Sequence, residues 1–98
     1  MGALIVVDIQ NDFLPGGALA VPRGDEVVAG ANALMPRFRR VVATQDWHPP
    51  EHKSFAANHP GRAPGELISL GGAAQVLWPV HCVAGSRGAE FAPGLAVE

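Results

Sequence analysis

The chain has few cysteines, few charges and no long apolar segment, and each shortage excludes a class of protein. One of its 98 residues is cysteine, so an internal disulfide is impossible and a reducing, cytoplasmic compartment is expected. Charged residues make up 16% with a net charge of −2, without the basic cluster of a nucleic-acid-binding surface. Apolar runs such as residues 3–7 are far shorter than the roughly 20 residues that span a bilayer, and no secretory signal is recognisable. Neither nucleic acid nor membrane is therefore expected as a partner.

The order of the predicted elements indicates an α/β fold. Residues 3–7 form an unbroken aliphatic run, which is typical of a strand buried on both faces. Residues 25–35 read as a helix with acidic residues in its first turn, which Pro36 should kink or end. Residues 41–44 are a second strand, so the order predicts a right-handed βαβ unit with a parallel strand pair. Residues 73–77 could be either a short helix or a strand.

Much of the rest of the chain should be loop, since it contains 12 glycines and 9 prolines. Two parallel strands and one helix cannot cover both faces of a parallel sheet, and parallel sheets are rarely left uncovered. We therefore expect the chain to be part of a larger fold.

Asp8 is a candidate catalytic residue because it follows the first strand directly. The carboxyl ends of parallel strands line the ligand crevice of open α/β sheets, and a carboxylate there can act as a general base. The alternative is an aspartate that only begins the next turn.

An aspartate and two histidines are candidate metal ligands. Asp46 and His48 are two residues apart in an extended segment, so their side chains project to the same side. His81, held in a loop between Pro79 and Cys82, is a third candidate, and this donor mixture suits zinc or iron rather than calcium. Two prolines after His48 rule out a helical pair with His52, although His52 and His59 could still reach a metal through loop geometry. For His48, His52 and His59 the alternative is an ordinary surface-loop residue. For His81 it is a packed loop histidine that hydrogen-bonds to the backbone.

Cys82 and the turn at residues 85–88 invite functional interpretations that the sequence does not favour. Neighbouring side chains of an extended segment point to opposite sides, so His81 is poorly placed to activate the Cys82 thiol. A buried cysteine is more often a small apolar residue than a nucleophile. Residues 85–88 lack the pattern of a phosphate-binding loop and are predicted to be a plain turn.

Four motifs, taken together and in this order, resemble the nicotinamidase/pyrazinamidase family of the isochorismatase-like (cysteine hydrolase) superfamily. They occupy residues 5–13, 16–21, 42–49 and 78–83. The resemblance implies a doubly wound, Rossmann-like parallel sheet in three α/β/α layers. Residues 1–98 would be the N-terminal half of one such hydrolase domain, in a chain that looks truncated. The resemblance also implies hydrolysis of nicotinamide to nicotinate and ammonia, a step of NAD salvage, and cleavage of pyrazinamide. The full-length enzyme could be a homo-oligomer.

The same resemblance implies roles for single residues. Asp8 matches the aspartate of an Asp–Lys–Cys triad, and Phe13 and Trp78 match aromatic walls around the substrate ring. The implied ligands of a divalent zinc or iron ion, manganese in some members, are Asp46, His48 and His81.

Two features of the family pattern are missing from the chain. Its only lysine is Lys53, inside the metal loop, and its only cysteine is Cys82, which matches a non-catalytic position. The chain alone is therefore expected to be inactive. Two alternatives stay open: another isochorismatase-like hydrolase that cleaves a different amide or a vinyl ether, and a non-catalytic metal-binding or interaction module.

Overall fold

A parallel strand pair joined by one helix forms the βαβ unit that the sequence predicts. The computed structural model describes residues 2–97. Strand β1 (Ala3–Val7) pairs in parallel with β2 (Arg40–Thr44), and helix α1 (Glu26–Leu34) lies between them in the chain. The last helical turn tightens into a 3-10 turn at Met35–Arg37, where Pro36 cannot supply a backbone N–H. The predicted βαβ unit and its α/β class are confirmed.

The prediction that β1 is buried on both faces is wrong for the described chain. Val6 is buried and packs against Met35 and Leu95, whereas Ile5 and Val7 are 62% and 64% exposed. Because side chains alternate along a strand, Val6 faces the packed layer and its two neighbours face the opposite side. That opposite side carries little cover from residues 2–97, so the unbroken aliphatic run is only half buried here.

A second, antiparallel pair follows the long central loop. Strand β3 (Leu67–Leu70) pairs with β4 (Ala73–Val76) through the two-residue turn Gly71–Gly72. Both glycines have positive φ, 58° and 84°, as the preferred two-residue hairpin turn requires. The open choice at residues 73–77 is thus resolved as strand. Sequence reasoning missed β3, although two adjacent glycines between short runs are a recognised hairpin signal.

Isolated bridges fasten the loops that follow the two central strands. Their pairs are Gln10 with Phe91, His48 with Val83, and Phe55 with Trp78. At residues 85–88, predicted to be a plain turn, a turn at residues 84–85 is followed by a 3-10 turn at Arg87–Ala89. Between residues 2 and 97 the structure has no helix of the length and apolarity needed to cross a membrane.

Candidate metal centre

Asp8 lies at the point where both parallel strands end. Its backbone N–H points at the carbonyl and hydroxyl oxygens of Thr44, at 3.3 Å and 3.0 Å. The Thr44 hydroxyl in turn donates to Asp8 Oδ1 over 2.6 Å. Asp8 has a φ of 53°, a left-handed conformation that is uncommon outside glycine and is enriched at functional sites. The end of β2 therefore holds the half-buried Asp8 carboxylate in one orientation.

Three of the predicted ligand side chains converge on one point. Asp46 Oδ1 lies 2.9 Å from His48 Nε2, and Asp46 Oδ2 lies 3.3 Å from His81 Nε2. The three candidate donor atoms all fall within 4.8 Å of one another. This spacing is close enough for one cation to contact all three donors.

The two ligand segments are joined by backbone hydrogen bonds. The His48 N–H donates to the Cys82 carbonyl over 2.9 Å, and the Ala84 N–H donates to the His48 carbonyl over 2.7 Å. This short parallel pairing brings the loop after β2 against the loop that carries His81. Convergence therefore depends on backbone pairing and does not require the side chains to find each other unaided.

The hydrogen bond on the far side of His81 fits a metal-binding role. His81 is 5% exposed, and its Nδ1 lies 2.7 Å from the Pro79 carbonyl, which can only accept a hydrogen bond. The proton of a neutral ring is then on Nδ1, so the lone pair of Nε2 faces the Asp46 carboxylate. Two electron-pair donors facing each other favour a cation between them, and such outer hydrogen bonds commonly orient ligating histidines. One carboxylate and two imidazoles fit zinc or iron with positions left for other ligands.

His52 and His59 lie outside this cluster. The His52 ring packs against the His48 ring with centroids 4.4 Å apart, but its Nδ1 accepts the Ser54 backbone N–H at 3.2 Å. His59 Nε2 lies 2.6 Å from the Lys53 carbonyl, near the surface. Of the four histidines, the geometry therefore brings only His48 and His81 together with Asp46.

Aromatic rings surround the histidine pair. Phe55 is completely buried, and its ring centroid lies 5.4 Å from those of both His48 and His81. The Phe13 ring centroid lies 5.9 Å from that of His81. Trp78 is 41% exposed, and in the described part of the chain its indole has no ring contact with Phe13. Its role as a second wall stays a prediction.

Cys82 has the environment of an inert thiol. The residue is completely buried and has a φ of 47°. Burial, reinforced by the negative charges of Asp46, Asp12 and Asp8, raises the pKa of the Cys82 thiol to about 12. Since the thiolate is the reactive form, this cysteine is a poor nucleophile near neutral pH.

Sequence reasoning missed four residues that support the centre: Gln10, Asp12, Thr44 and Phe55. Asp12 Oδ2 accepts the Cys82 N–H over 2.7 Å, next to His81. Gly88 leaves room for that carboxylate, because a Cβ at this position would overlap the Asp12 side chain. For Gln10 and Asp12 the available signal was a polar residue soon after a strand, but their partners lie far along the chain.

The chain is similar to known proteins over nearly its whole length. Residues 2–98 match the isochorismatase domain. The chain belongs to the isochorismatase family. Among curated relatives, it is 53% identical to the nicotinamidase of Acinetobacter baylyi, over 95% of this chain and 44% of that protein. It is 50% identical to the nicotinamidase of Escherichia coli strain K12, over 93% of this chain and 44% of that protein.

Solved structures of isochorismatase-family enzymes have the same fold. A nicotinamidase/pyrazinamidase of Acinetobacter baumanii matches with a TM-score of 0.93 and 54% identity, covering 98% of this chain and 46% of that one. The yeast nicotinamidase bound to the inhibitor nicotinaldehyde matches with a TM-score of 0.88 and 39% identity, covering 96% and 50%. A pyrazinamidase of Pyrococcus horikoshii in complex with zinc matches with a TM-score of 0.69 and 44% identity, covering 92% and 44%. The chain thus spans about half the length of the relatives it matches.

Proposed function

We propose that this chain supplies the metal centre and the strand-end aspartate of a nicotinamidase, which hydrolyses nicotinamide to nicotinate and ammonia. The observation that carries the proposal is the convergence of Asp46, His48 and His81 within 4.8 Å. Two relatives that are at least 50% identical are nicotinamidases, and one related structure holds a nicotinaldehyde inhibitor. Another related structure holds zinc, which supports the same metal here, with iron or manganese as the other candidates.

The proposed reaction breaks the carboxamide C–N bond. Nitrogen leaves as ammonia after taking up protons, and the oxygen of water completes the carboxylate. In this chain Asp46, His48 and His81 would hold the ion, which when bound would orient the substrate by its pyridine nitrogen. Asp8 would accept the proton of the triad cysteine of the parent enzyme, which is a different residue from Cys82. Its carboxylate lies at the strand end and is oriented by Thr44.

Phe13 and Trp78 are proposed to bind the substrate ring. Phe13 is already beside His81, with ring centroids 5.9 Å apart, so a planar ring held near the ion would contact it. Trp78 is half-exposed three residues before His81, where its indole is free to cover the other face of the ring.

The chain alone is proposed to be inactive. Lys53 lies in the metal loop, and the Cys82 thiol is buried with its pKa raised to about 12, so neither serves as the triad partner of Asp8. Residues 1–98 would then be the N-terminal part of one hydrolase domain. Its parent enzyme would be cytoplasmic and homo-oligomeric, act in NAD salvage and also cleave pyrazinamide.

Metal stoichiometry tests the proposed centre. After dialysis against zinc, the purified chain should retain one zinc ion per molecule, as measured by mass spectrometry of the bound metal. His81→Ala should lose most of that zinc, whereas His59→Ala, which changes a histidine outside the cluster, should retain it. Equal retention by both variants would contradict the site.

Ammonia release tests the proposed activity. The parent enzyme should release ammonia from nicotinamide. Asp8→Asn should lower turnover by several orders of magnitude, as loss of a triad member does in other hydrolases. The 98-residue chain should release none. Turnover of another amide without any metal requirement would instead favour a different isochorismatase-like hydrolase.

A further inference from the structure

Gln10 is a completely buried amide that none of the proposed chemistry uses. Its Oε1 accepts the Asp46 N–H over 2.8 Å. Its Nε2 donates to the Asp46 carbonyl over 2.8 Å and to the Ala89 carbonyl over 2.7 Å. The side chain therefore engages both backbone polar groups of a proposed metal ligand.

Only a carboxamide satisfies these three backbone groups at once. One N–H must be accepted and two carbonyls must receive donors, which matches one amide oxygen and two amide hydrogens. An apolar side chain of the same size would remove all three hydrogen bonds. The Asp46 N–H and carbonyl would lose their amide partner, and the Ala89 carbonyl would keep only its bond from Gln45. The orientation of the amide is also determined, because the reverse orientation would place N–H groups against the Asp46 N–H.

The Ala89 carbonyl makes the contact a cross-link between distant segments. Ala89 is buried on the 3-10 turn Arg87–Ala89, and its carbonyl also accepts Gln45 Nε2 over 3.0 Å. The side chains of Gln10, after β1, and Gln45, after β2, thus donate hydrogen bonds to the same carbonyl. The Gln10 amide thus binds Asp46 through both peptide units that flank its Cα, at the N–H of one and the carbonyl of the other.

We infer that Gln10 is a positioning residue for the metal centre: it holds the Asp46 backbone in the ligand-binding conformation before any ion arrives. This inference rests on the proposed metal site and deepens it. A ligand whose backbone is already ordered loses less conformational freedom when it binds, so Gln10 raises affinity without touching the ion. Outer-shell partners of metal ligands typically contribute 10–100-fold to affinity.

A cobalt titration with a matched control tests the inference. Gln10→Met keeps the size of the side chain and removes all three hydrogen bonds. Asn32→Leu is the control, because Asn32 also accepts one backbone N–H, from Ala96, and donates to one carbonyl, of Gly94, away from the site. We expect Gln10→Met to bind Co²⁺ about 10–100-fold more weakly, with an altered visible absorption spectrum, and Asn32→Leu to match the unaltered chain within about threefold.

The outcomes separate this inference from the metal proposal. If the unaltered chain binds no Co²⁺, the proposed metal centre is wrong, and the inference about Gln10 is overturned as well. If the unaltered chain and Gln10→Met bind Co²⁺ equally, with the same spectrum, the centre stands and the inference is overturned.

A second measurement applies if Gln10→Met does not fold. Hydrogen exchange on the metal-free, unaltered chain should show the Asp46 amide at least about 100-fold protected, because its N–H is held by Gln10. Exchange at the rate of a free amide would overturn the inference without any variant.

Discussion

The Cys82 thiol should react with iodoacetamide about a thousandfold more slowly than an exposed thiol in the same chain. With its pKa raised to about 12 from the ordinary 9.0, the thiolate fraction at pH 8 falls from about one in ten to about one in ten thousand. Complete burial slows the reaction further, because the reagent must wait for a local opening. The fall in the thiolate fraction alone corresponds to a retardation of about a thousandfold.

The assay uses an internal reference. Ser69 is exposed on β3, so Ser69→Cys adds an accessible thiol to the same chain as the native one. Both sites are followed by peptide mass spectrometry at pH 8, in the folded chain and in guanidinium chloride, where the two rates should become similar. Alkylation of Cys82 in the folded chain within tenfold of the Ser69→Cys site would refute the reasoning and reopen Cys82 as a nucleophile.

Three further predictions concern stability. Gly88→Ala should lower the free energy of unfolding in urea by about 1–3 kcal/mol, because the new methyl group overlaps the Asp12 carboxylate. The control is Gly30→Ala on α1, where the methyl group enters open space; it should leave the stability unchanged or raise it by up to about 1 kcal/mol. The free energy of unfolding should fall as pH rises from about 9 to about 12, because over this range the unfolded Cys82 thiol loses its proton and the folded one keeps it. Denaturant melts should show a steeper fall for the unaltered chain than for Cys82→Ala; equal pH profiles for the two would contradict this. Phe55→Ala should cost about 3–5 kcal/mol in the same melts, since it empties a completely buried site beside the histidines; a loss below about 1 kcal/mol would contradict the packing.

The local elements of the fold were predictable because each depends on a short stretch of residues. An aliphatic run, an acidic helix start and a proline at the helix end identify β1, α1 and the transition into β2. The hairpin was harder, because β3 and β4 are only four residues each and their composition has no clear alternation. Its strongest signal was the glycine pair between them. The half-exposed state of β1 does not follow from the composition of the strand, which does not reveal which face is covered. It agrees instead with the count of elements, since two strands and one helix cannot cover both faces of a sheet.

The candidate site divides in the same way. The pairing of Asp46 with His48 follows from sequence alone, since a two-residue spacing in an extended segment puts both side chains on one side. Gln10 and Asp12 could not be assigned, because their partners lie 36 to 79 positions away in the chain. A polar side chain after a strand has many possible partners, and only the folded backbone selects among them.

The sequence by itself determined the βαβ order, the identity of the candidate donor residues and the family they resemble, because those properties depend on residue type and short spacing. Only the tertiary structure decided that His81 joins Asp46 and His48 while His52 and His59 do not, and that Cys82 is enclosed. Both outcomes depend on the backbone pairing of two distant loops, which determines the distances between side chains and the solvent that reaches them.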